Sequence, residues 1–438
     1  MTRIQMKNRL RFLLSPLLAV LVLTTASCQV RPPDLTPAAS GPASTPVDQA
    51  AIRPPGLQDF GDPNAARLID RYRLLAAAHH AAHGARTTPS VLTIVQLGDS
   101  HTASDTLTSG LRTQLQADLG DAGIGWITPM NVRGMSHFRI RMRSRHWRLS
   151  SSRSDNNPSF PLGGYIATPD RPGATLRVES RQDDTTPYLA SFLIQTGVAA
   201  GALTVDSASG RRTLAASSGP KHPPGSWQTV QAPVRLPFTI TARHTQAVAL
   251  GGIQLTRQQA QGALVSPIGT NGARQTIWDR WSPDWLSQLA ATRADLIILA
   301  YGTNESFDDT LDPQAMQSSL IQGIRSIRQA LPQAAVLLIG APDALVASSD
   351  ATLSCAARRP AGHEAVKRIQ QAVAQAEHTL YWDWQDAMGA DACPMLAWQA
   401  RDWVGRDLVH FTLAGYQESA RRLYRDLSRF LRRSTIAP

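Results

Sequence analysis

The sequence predicts an α/β protein: an open parallel β-sheet with helices between its strands, interrupted by an all-β sandwich. Three observations predict it. Short apolar runs (VLTIVQL, ALVSPIG, ADLIILAYG, AAVLLIG and TLYWD) alternate with helical stretches, as strands buried on both faces do. Between residues 135 and 261 the texture changes to short alternating segments separated by Gly, Pro, Ser and Asp, the pattern of an antiparallel β-sandwich. The chain has 438 residues, 42% hydrophobic and 18% charged, enough for a large core divided into two or three domains.

The first residues read as a secretory signal. Arg3, Lys7, Arg9 and Arg11 form a positive n-region, and residues 12–23, FLLSPLLAVLVL, form an apolar h-region too short to span a bilayer as a mature helix. TTASC follows. Cys28, directly after Ala26 and Ser27, resembles the cysteine of a bacterial lipobox, with Thr25 where Leu is usual. That resemblance implies a lipoprotein signal over residues 1–28, cleavage before Cys28 and acylation of its thiol and amine. Gln29 rather than Asp after the cysteine implies the outer membrane, facing the periplasm. Residues 29–62 are rich in Pro, Ala, Ser and Thr without apolar periodicity. They read as an extended tether reaching on the order of 100 Å at about 3.1 Å per residue.

The parallel-sheet domain is expected in two parts, residues 63–134 and 262–438, around the insert at 135–261. From Asn64, AARLIDRYRLLAAAHHAA places Leu68, Tyr72 and Leu75 along one helical face. His79, His80 and His83 lie on this Ala-rich helix without an acidic partner and read as exposed residues rather than ligands. After VLTIVQL, a helix over LTSGLRTQLQADLG should end at Gly120. In the insert, FRIRMRSR, ATLRVES, ASFLIQTG, GALTVDS, FTITARH and AVALGGIQLTR read as strands. Beyond it, helices are expected at about 275–292, 312–331, 361–378 and 412–432.

The formal net charge of +11 favours anionic partners such as acidic wall polymer or lipid headgroups. The sequence contains no zinc-finger spacing, RNP-like aromatic strand or dense Lys/Arg block, which argues against nucleic acid. Of three cysteines, Cys28 is assigned to lipid. Cys355 and Cys393 are left, either as a disulfide or as two separate buried thiols. A bridge would close a loop of about 38 residues, worth roughly 4 kcal/mol in the chain-entropy model. With no CxxC or Cys/His ligand spacing, no metal site and no cofactor are expected.

Three motifs carry the chemistry. Gly98-Asp99-Ser100-His101 follows the first strand, YGTNE with Asn304 follows ADLIILA, and Asp407 stands three residues before His410 ahead of the last helix. Ligand sites in open parallel sheets lie beyond the carboxyl ends of the strands, where the first two motifs fall. A serine hydroxyl is a weak nucleophile and needs a base. His410 suits that role near neutral pH, and Asp407 can hold its tautomer from the same loop. Asn304 and the Ser100 N–H can donate to an oxyanion. A glycine can bring a further backbone donor close, and Gly272 in GTNGAR is the best placed. Asp99 reads as ordering the turn. His101 is open between substrate contact and packing, as are Trp147, Trp227, Trp398 and Trp403 between sugar stacking and core.

This ordered set resembles the SGNH, or GDSL-like, hydrolase superfamily: Ser100 in its first block, Gly272 in its second, Asn304 in its third, and Asp407 and His410 in its fifth. GDSHTASD, GDAGIGW, GTNGA, YGTNE and DLVHFTLAGY look like the peptidoglycan O-acetylesterase branch. Glu305 stands where the wider superfamily has Asp, and His101 where it has Leu. Over residues 64–432 the resemblance implies a three-layer α/β/α sheet domain and a carbohydrate-binding-module-like sandwich inserted between the first two blocks. It implies a serine esterase that deacetylates a cell-wall glycan through an acyl-enzyme, with O-acetylated peptidoglycan as partner. Acetyl transfer to another sugar hydroxyl is the alternative on the same scaffold, and a glycan-binding lipoprotein with an idle hydrolase domain is the alternative from another class.

Overall fold

The computed structural model describes residues 56–81, 90–156, 159–195, 203–216, 223, 225–245, 248–348, 350 and 352–433. The signal sequence, Cys28, His83 and most of the proposed tether lie outside them. Six strands form the central sheet in the order Gln58–Asp59, Leu380–Trp382, Ala335–Ile339, Leu296–Ala300, Val91–Gly98, Gly262–Gly269. All neighbours are parallel except the first pair, where Gln58 and Asp59 run antiparallel to Tyr381 and Leu380. The tether therefore ends earlier than residue 62. Leu57 is buried, and the Asp62 carboxylate accepts from the N–H groups of Asn64 and Val336, so this stretch belongs to the sheet edge.

Alternate residues of each strand enter two different cores, which produces the three layers. Ile94 and Ile298 face one side, with the helices Ala65–Ala81, Thr106–Leu119 and Leu413–Leu431. Val95, Ile297, Leu299 and Val336 face the other, with Trp285–Ala290, Pro313–Ala330 and His363–Ala376. The helices end where their residues dictate. Gly120, at φ +96°, caps Thr106–Leu119 by donating to Gln116 O. Asp312 caps Pro313–Ala330 through the N–H groups of Gln314 and Ala315. The continuous helix expected at 275–292 is instead a 3₁₀ segment, Gln275–Arg280, and a short helix, Trp285–Ala290. Pro283 cannot donate, and it disfavours helical backbone at the residue before it. The extended Trp281 bridges Phe160, and Ser282 N–H donates to Phe160 O at 2.6 Å.

The insert is a sandwich of two antiparallel sheets around its own core. One sheet runs Gly210–Leu214, Leu203–Ser207, Phe238–Ala242, Thr175–Ser180, Ile140–Arg145. The other runs Trp227–Arg235, Pro187–Gln195, Leu250–Arg257, Tyr165–Pro169, Trp147–Ser151. Gly123–Ile127, placed in the hydrolase part by sequence, pairs with Leu250–Arg257, so the sandwich takes a strand from before residue 135. The insert is also not a detachable module. Trp126, Phe160, Leu162 and Trp227 lie in the same apolar cluster as Trp278, Trp281 and Trp285 of the hydrolase part. Trp227 is buried and donates its indole N–H to Ser159 O, and Trp147 is buried in the sandwich core. Both are core residues rather than sugar platforms.

Phe160, with no exposed surface, joins the two domains. Phe160→Ala should cost about 3–5 kcal/mol. Equilibrium denaturation should show that loss in a single transition covering both domains. Separate transitions, with only one of them shifted, would argue against the shared core.

Candidate active site

The site lies beyond the carboxyl ends of three neighbouring strands. Gly98 pairs in register with Gly269 on one side and Ala300 on the other, so the three following loops leave the sheet at one level. The chain then turns at once. Asp99 N–H donates to Ala300 O and Thr270 N–H to Gly98 O, at 3.3 and 3.0 Å. A Cβ on Gly98 would come within 2.1 Å of Thr102 Oγ1 and 2.6 Å of Ala300 O, so only glycine fits the first position of the GDS motif.

Ser100 opens the short helix Ser100–Ala103, capped by Asp99, whose carboxylate accepts from His101 N–H at 2.9 Å. Ser100 Oγ lies 2.8 Å from His410 Nε2, across 310 positions of sequence. His410 Nδ1 lies 2.6 Å from Asp407 Oδ2. Facing an acceptor-only carboxylate, Nδ1 carries the proton, and Nε2 is left to accept from the serine. Asp407 Oδ1 also accepts from Val409 and His410 N–H at 3.1 and 3.0 Å, so one carboxylate shapes the loop and holds the ring. Gly405 N–H donates to His410 O at 2.7 Å, and Leu408, at φ +56°, turns the loop. Partial burial pushes the Asp407 carboxyl up. The bonds from the His410 ring and the two N–H groups outweigh it and hold its pKa below the ordinary carboxylate value. The imidazole is 43% exposed and the carboxylate 52%, so both open to solvent.

Asn304 sits beside them, half-buried, in the short helix Thr303–Ser306 after Gly302 at φ +121°. Its Nδ2 donates to Ala273 O at 2.9 Å, which brings it against the loop carrying Gly272. Gly272, at φ +67°, adopts a conformation that favours glycine. Glu305 ties the same two loops from below, accepting from Gly302 N–H at 3.0 Å and Gln275 N–H at 2.8 Å. Burial pushes its carboxyl up, against these backbone bonds. The extra methylene relative to Asp lets it span from one loop to the next. Gln370, invisible as a site residue within a helical stretch, donates to Tyr301 O at 2.7 Å and accepts from Ala341 N–H at 3.0 Å, fixing the strand end before Asn304.

The flanking residues resolve toward packing. His101 is buried, with Nδ1 2.9 Å from Tyr416 OH and its ring 5.3 Å from those of both Trp384 and His410. Burial drives its pKa down to about 3, so it stays neutral behind His410. Trp398 is fully buried and donates to Met388 O at 2.7 Å, whereas Trp403 is half-buried against it, under Arg401. His79 and His80 are exposed, as their helix predicts. Cys355 and Cys393 form a disulfide with Cα atoms 5.7 Å apart. Asp343 lies beside both sulfurs in a group of potential metal ligands, but both thiols are consumed in the bridge and the carboxylate accepts from Arg359 Nε and Met395 N–H.

Two family models match the chain. The model described as peptidoglycan O-acetylesterase, N-terminal, covers residues 122–239, and that of the GDSL-like lipase/acylhydrolase family covers residues 244–418. The second begins at residue 244, before the sandwich strand Leu250–Arg257, and omits Ser100, which only the fold returns to His410. A solved structure of a peptidoglycan O-acetylesterase matches with a TM-score of 0.75 and 33% identity over 86% of this chain and 99% of that one. A family two carbohydrate esterase from Cellvibrio japonicus matches with a TM-score of 0.28 and 13% identity, over 67% of this chain and 98% of the other. A carbohydrate acetylesterase from Sinorhizobium meliloti matches with a TM-score of 0.29 and 14% identity, over 38% and 79%. No curated protein matches the chain.

Burial pushes the Asp99 carboxyl up to about 7, against hydrogen bonds from His101 N–H and the Thr303 side chain. A carboxyl raised in the folded state gives stability that is complete below its unfolded pKa, about 3.9, and lost as pH rises through the folded one. Stability should therefore decline from about pH 5 to pH 8, and Asp99→Asn, which keeps an acceptor for His101, should flatten the decline. Denaturation midpoints across that range test this. Parallel declines in both proteins would remove Asp99 as the source.

Proposed function

Because the chain belongs to the GDSL-like lipase/acylhydrolase family, in a branch with peptidoglycan O-acetylesterases, we propose that it deacetylates the hydroxyls of wall peptidoglycan through a serine acyl-enzyme. The unbroken chain from Ser100 Oγ to His410 to Asp407, at 2.8 and 2.6 Å, carries this reading. His410 Nε2 takes the serine proton as Oγ attacks the acetyl carbonyl, and Asp407 stabilises the imidazolium. Asn304 Nδ2 and the N–H groups of Ser100 and Gly272 receive the oxyanion. His410 returns the proton to the departing sugar oxygen, leaving acetyl on Ser100. It then deprotonates water, which attacks the acyl carbonyl, and returns that proton to Ser100 Oγ as acetate leaves. None of these steps calls on a cofactor. The exposure of the ring and carboxylate suits an ester on a long polymer.

The signal-like first residues support a further part of the proposal: acylated Cys28 anchors the enzyme to the outer membrane, facing the periplasmic wall. No helix among the described residues is long and apolar enough to cross a membrane. Placement would then depend on the lipid and the tether. The cell envelope is where a peptidoglycan enzyme meets its substrate.

Ser100→Ala should abolish acetate release from O-acetylated peptidoglycan while leaving the unfolding midpoint close to that of the parent. Asn304→Ala should lower turnover by about two to three orders of magnitude. Acetylated xylan and long-chain esters should be poorer substrates than the wall polymer. Undiminished turnover by the serine variant, or an asparagine loss below about tenfold, would overturn the assigned roles. Release of acetate only when an acceptor glycan is present would favour acetyl transfer instead. Cys28→Ser should move the protein from the membrane to the soluble fraction, and unchanged membrane fractionation would rule out the anchor.

A further inference from the structure

The insert does more than abut the hydrolase domain, because one of its cations lies on the proposed oxyanion loop. Arg153 sits in a stiff turn after the strand Trp147–Ser151. Ser154 and Asp155 N–H donate to Ser151 O, and the Asp155 carboxylate accepts from Ser151 N–H at 2.7 Å. Arg280 of the hydrolase part braces this turn from outside, donating to Arg153 O at 3.2 Å, Asp155 O at 2.6 Å and Asn156 Oδ1 at 3.0 Å. The Arg153 guanidinium thereby reaches Gly272. A Cβ there would lie 2.5 Å from Arg153 Cζ and 2.6 and 2.8 Å from its two Nη atoms. The positive φ at 272 favours glycine, and the end of the flexible Arg153 side chain rests against it.

Two neighbouring cations are neutralised or used. Arg274 pairs with Asp308, and Arg280 is spent on the turn. Arg153 is exposed, and among the described residues no carboxylate pairs with it. Its backbone is fully held while its charge is left for something outside the protein. The loop it touches is further braced by the insert and the residues just before it: Asn271 Nδ2 donates to Arg133 O, and Thr270 Oγ1 to Gly163 O. A ligand on Arg153 is thus held against the loop that would receive the reacting carbonyl. A guanidinium presents paired N–H groups that match a carboxylate.

We propose that Arg153 is a specificity-determining residue that binds a carboxylate of the acetylated glycan, so that the insert selects acidic sugar esters over neutral ones. This rests on the glycan-esterase reading above and names the substrate chemistry that the reading leaves open. Peptidoglycan carries such groups on its lactyl and peptide branches, and the net charge of +11 has the matching sign.

The test uses the purified full chain and two synthetic esters: a 6-O-acetylated amino sugar with a 3-O-lactyl carboxylate, and the same sugar without it. The parent enzyme should show the higher kcat/KM on the acidic ester, through KM, with a preference that shrinks as salt is raised. Arg153→Gln should cut the acidic-to-neutral ratio of kcat/KM about tenfold or more, and Arg153→Lys should restore part of it. An unchanged ratio in Arg153→Gln, or a parent enzyme that does not distinguish the two esters, overturns the proposal. Because the readout is a ratio, a general loss from misfolding does not imitate the expected result. Failure of the esterase reading is separate: it shows as hydrolysis that persists in Ser100→Ala.

Discussion

The register of three parallel strands governs everything at the site. Gly98, Gly269 and Ala300 lie side by side, so the loops bearing Ser100, Gly272 and Asn304 begin at one height. The backbone bonds from Asp99 to Ala300 and from Thr270 to Gly98 continue the ladder past the last side chains. A slip of one residue in either pairing would reverse the faces of a whole strand and unmix the two cores. Catalytic geometry and hydrophobic packing are therefore the same constraint, met by the same short apolar runs. Glycines at 98 and 269 make the tight turns possible, because a Cβ at either would strike backbone or the Ser100 helix within 2.6 Å.

The proposed base and its acid come from elsewhere and are held differently. The loop from Trp403 to Thr412 is closed by its own backbone, with Val404 bridging Phe411 and Thr412 N–H donating to Trp403 O at 3.0 Å. Asp407 completes it with three accepted bonds, which is why an Asp at this spacing before His serves where a longer acid would not. Behind His410 stands the neutral ring of His101, itself packed among Trp384, Phe411 and Tyr416. The loop is also tied to the stretch that follows the strand Ala335–Ile339, through Leu345 N–H to Leu408 O at 3.0 Å.

Much of this was legible in the residues, for reasons that also explain the rest. Ser100, Asn304, Asp407 and His410 could be singled out as candidates because a nucleophile, donor, acid and base each have a restricted chemistry and a place after a strand or before a helix. The buried strands were legible as unbroken apolar runs. In the insert, Trp147–Ser151, Tyr165–Pro169, Gly210–Leu214 and Trp227–Arg235 escaped notice. Pro169 and Pro233 mark positions that a central strand avoids, and GRRTL is an edge strand with hardly a buried face. Gln58–Asp59 escaped because two residues carry no periodicity. Arg153 and Gln370 had no signal at all: an exposed Arg in a Ser-rich turn and a Gln on a helix resemble hundreds of others until the fold supplies their neighbours.

The same reasoning changes what the insert is. Its strand pattern suggested a β-sandwich, and the family resemblance implied that this is a carbohydrate-binding-module-like domain joined to an enzyme. Shared burial of Phe160 and Trp227 with Trp278, Trp281 and Trp285 makes the two parts one hydrophobic unit. A hydrogen bond from Thr270 to Gly163 O of the insert, and one from Asn271 to Arg133 O just before it, tie the second-block loop to it. The hydrolase part supplies the level platform and the acid–base pair, while the loop proposed to receive the oxyanion is propped from the sandwich. Excising the insert would uncover tryptophans and free that loop together, so turnover of even the smallest ester would fall along with polymer binding. Where a domain joins another through the loop nearest the chemistry, recognition and catalysis are not separable parts.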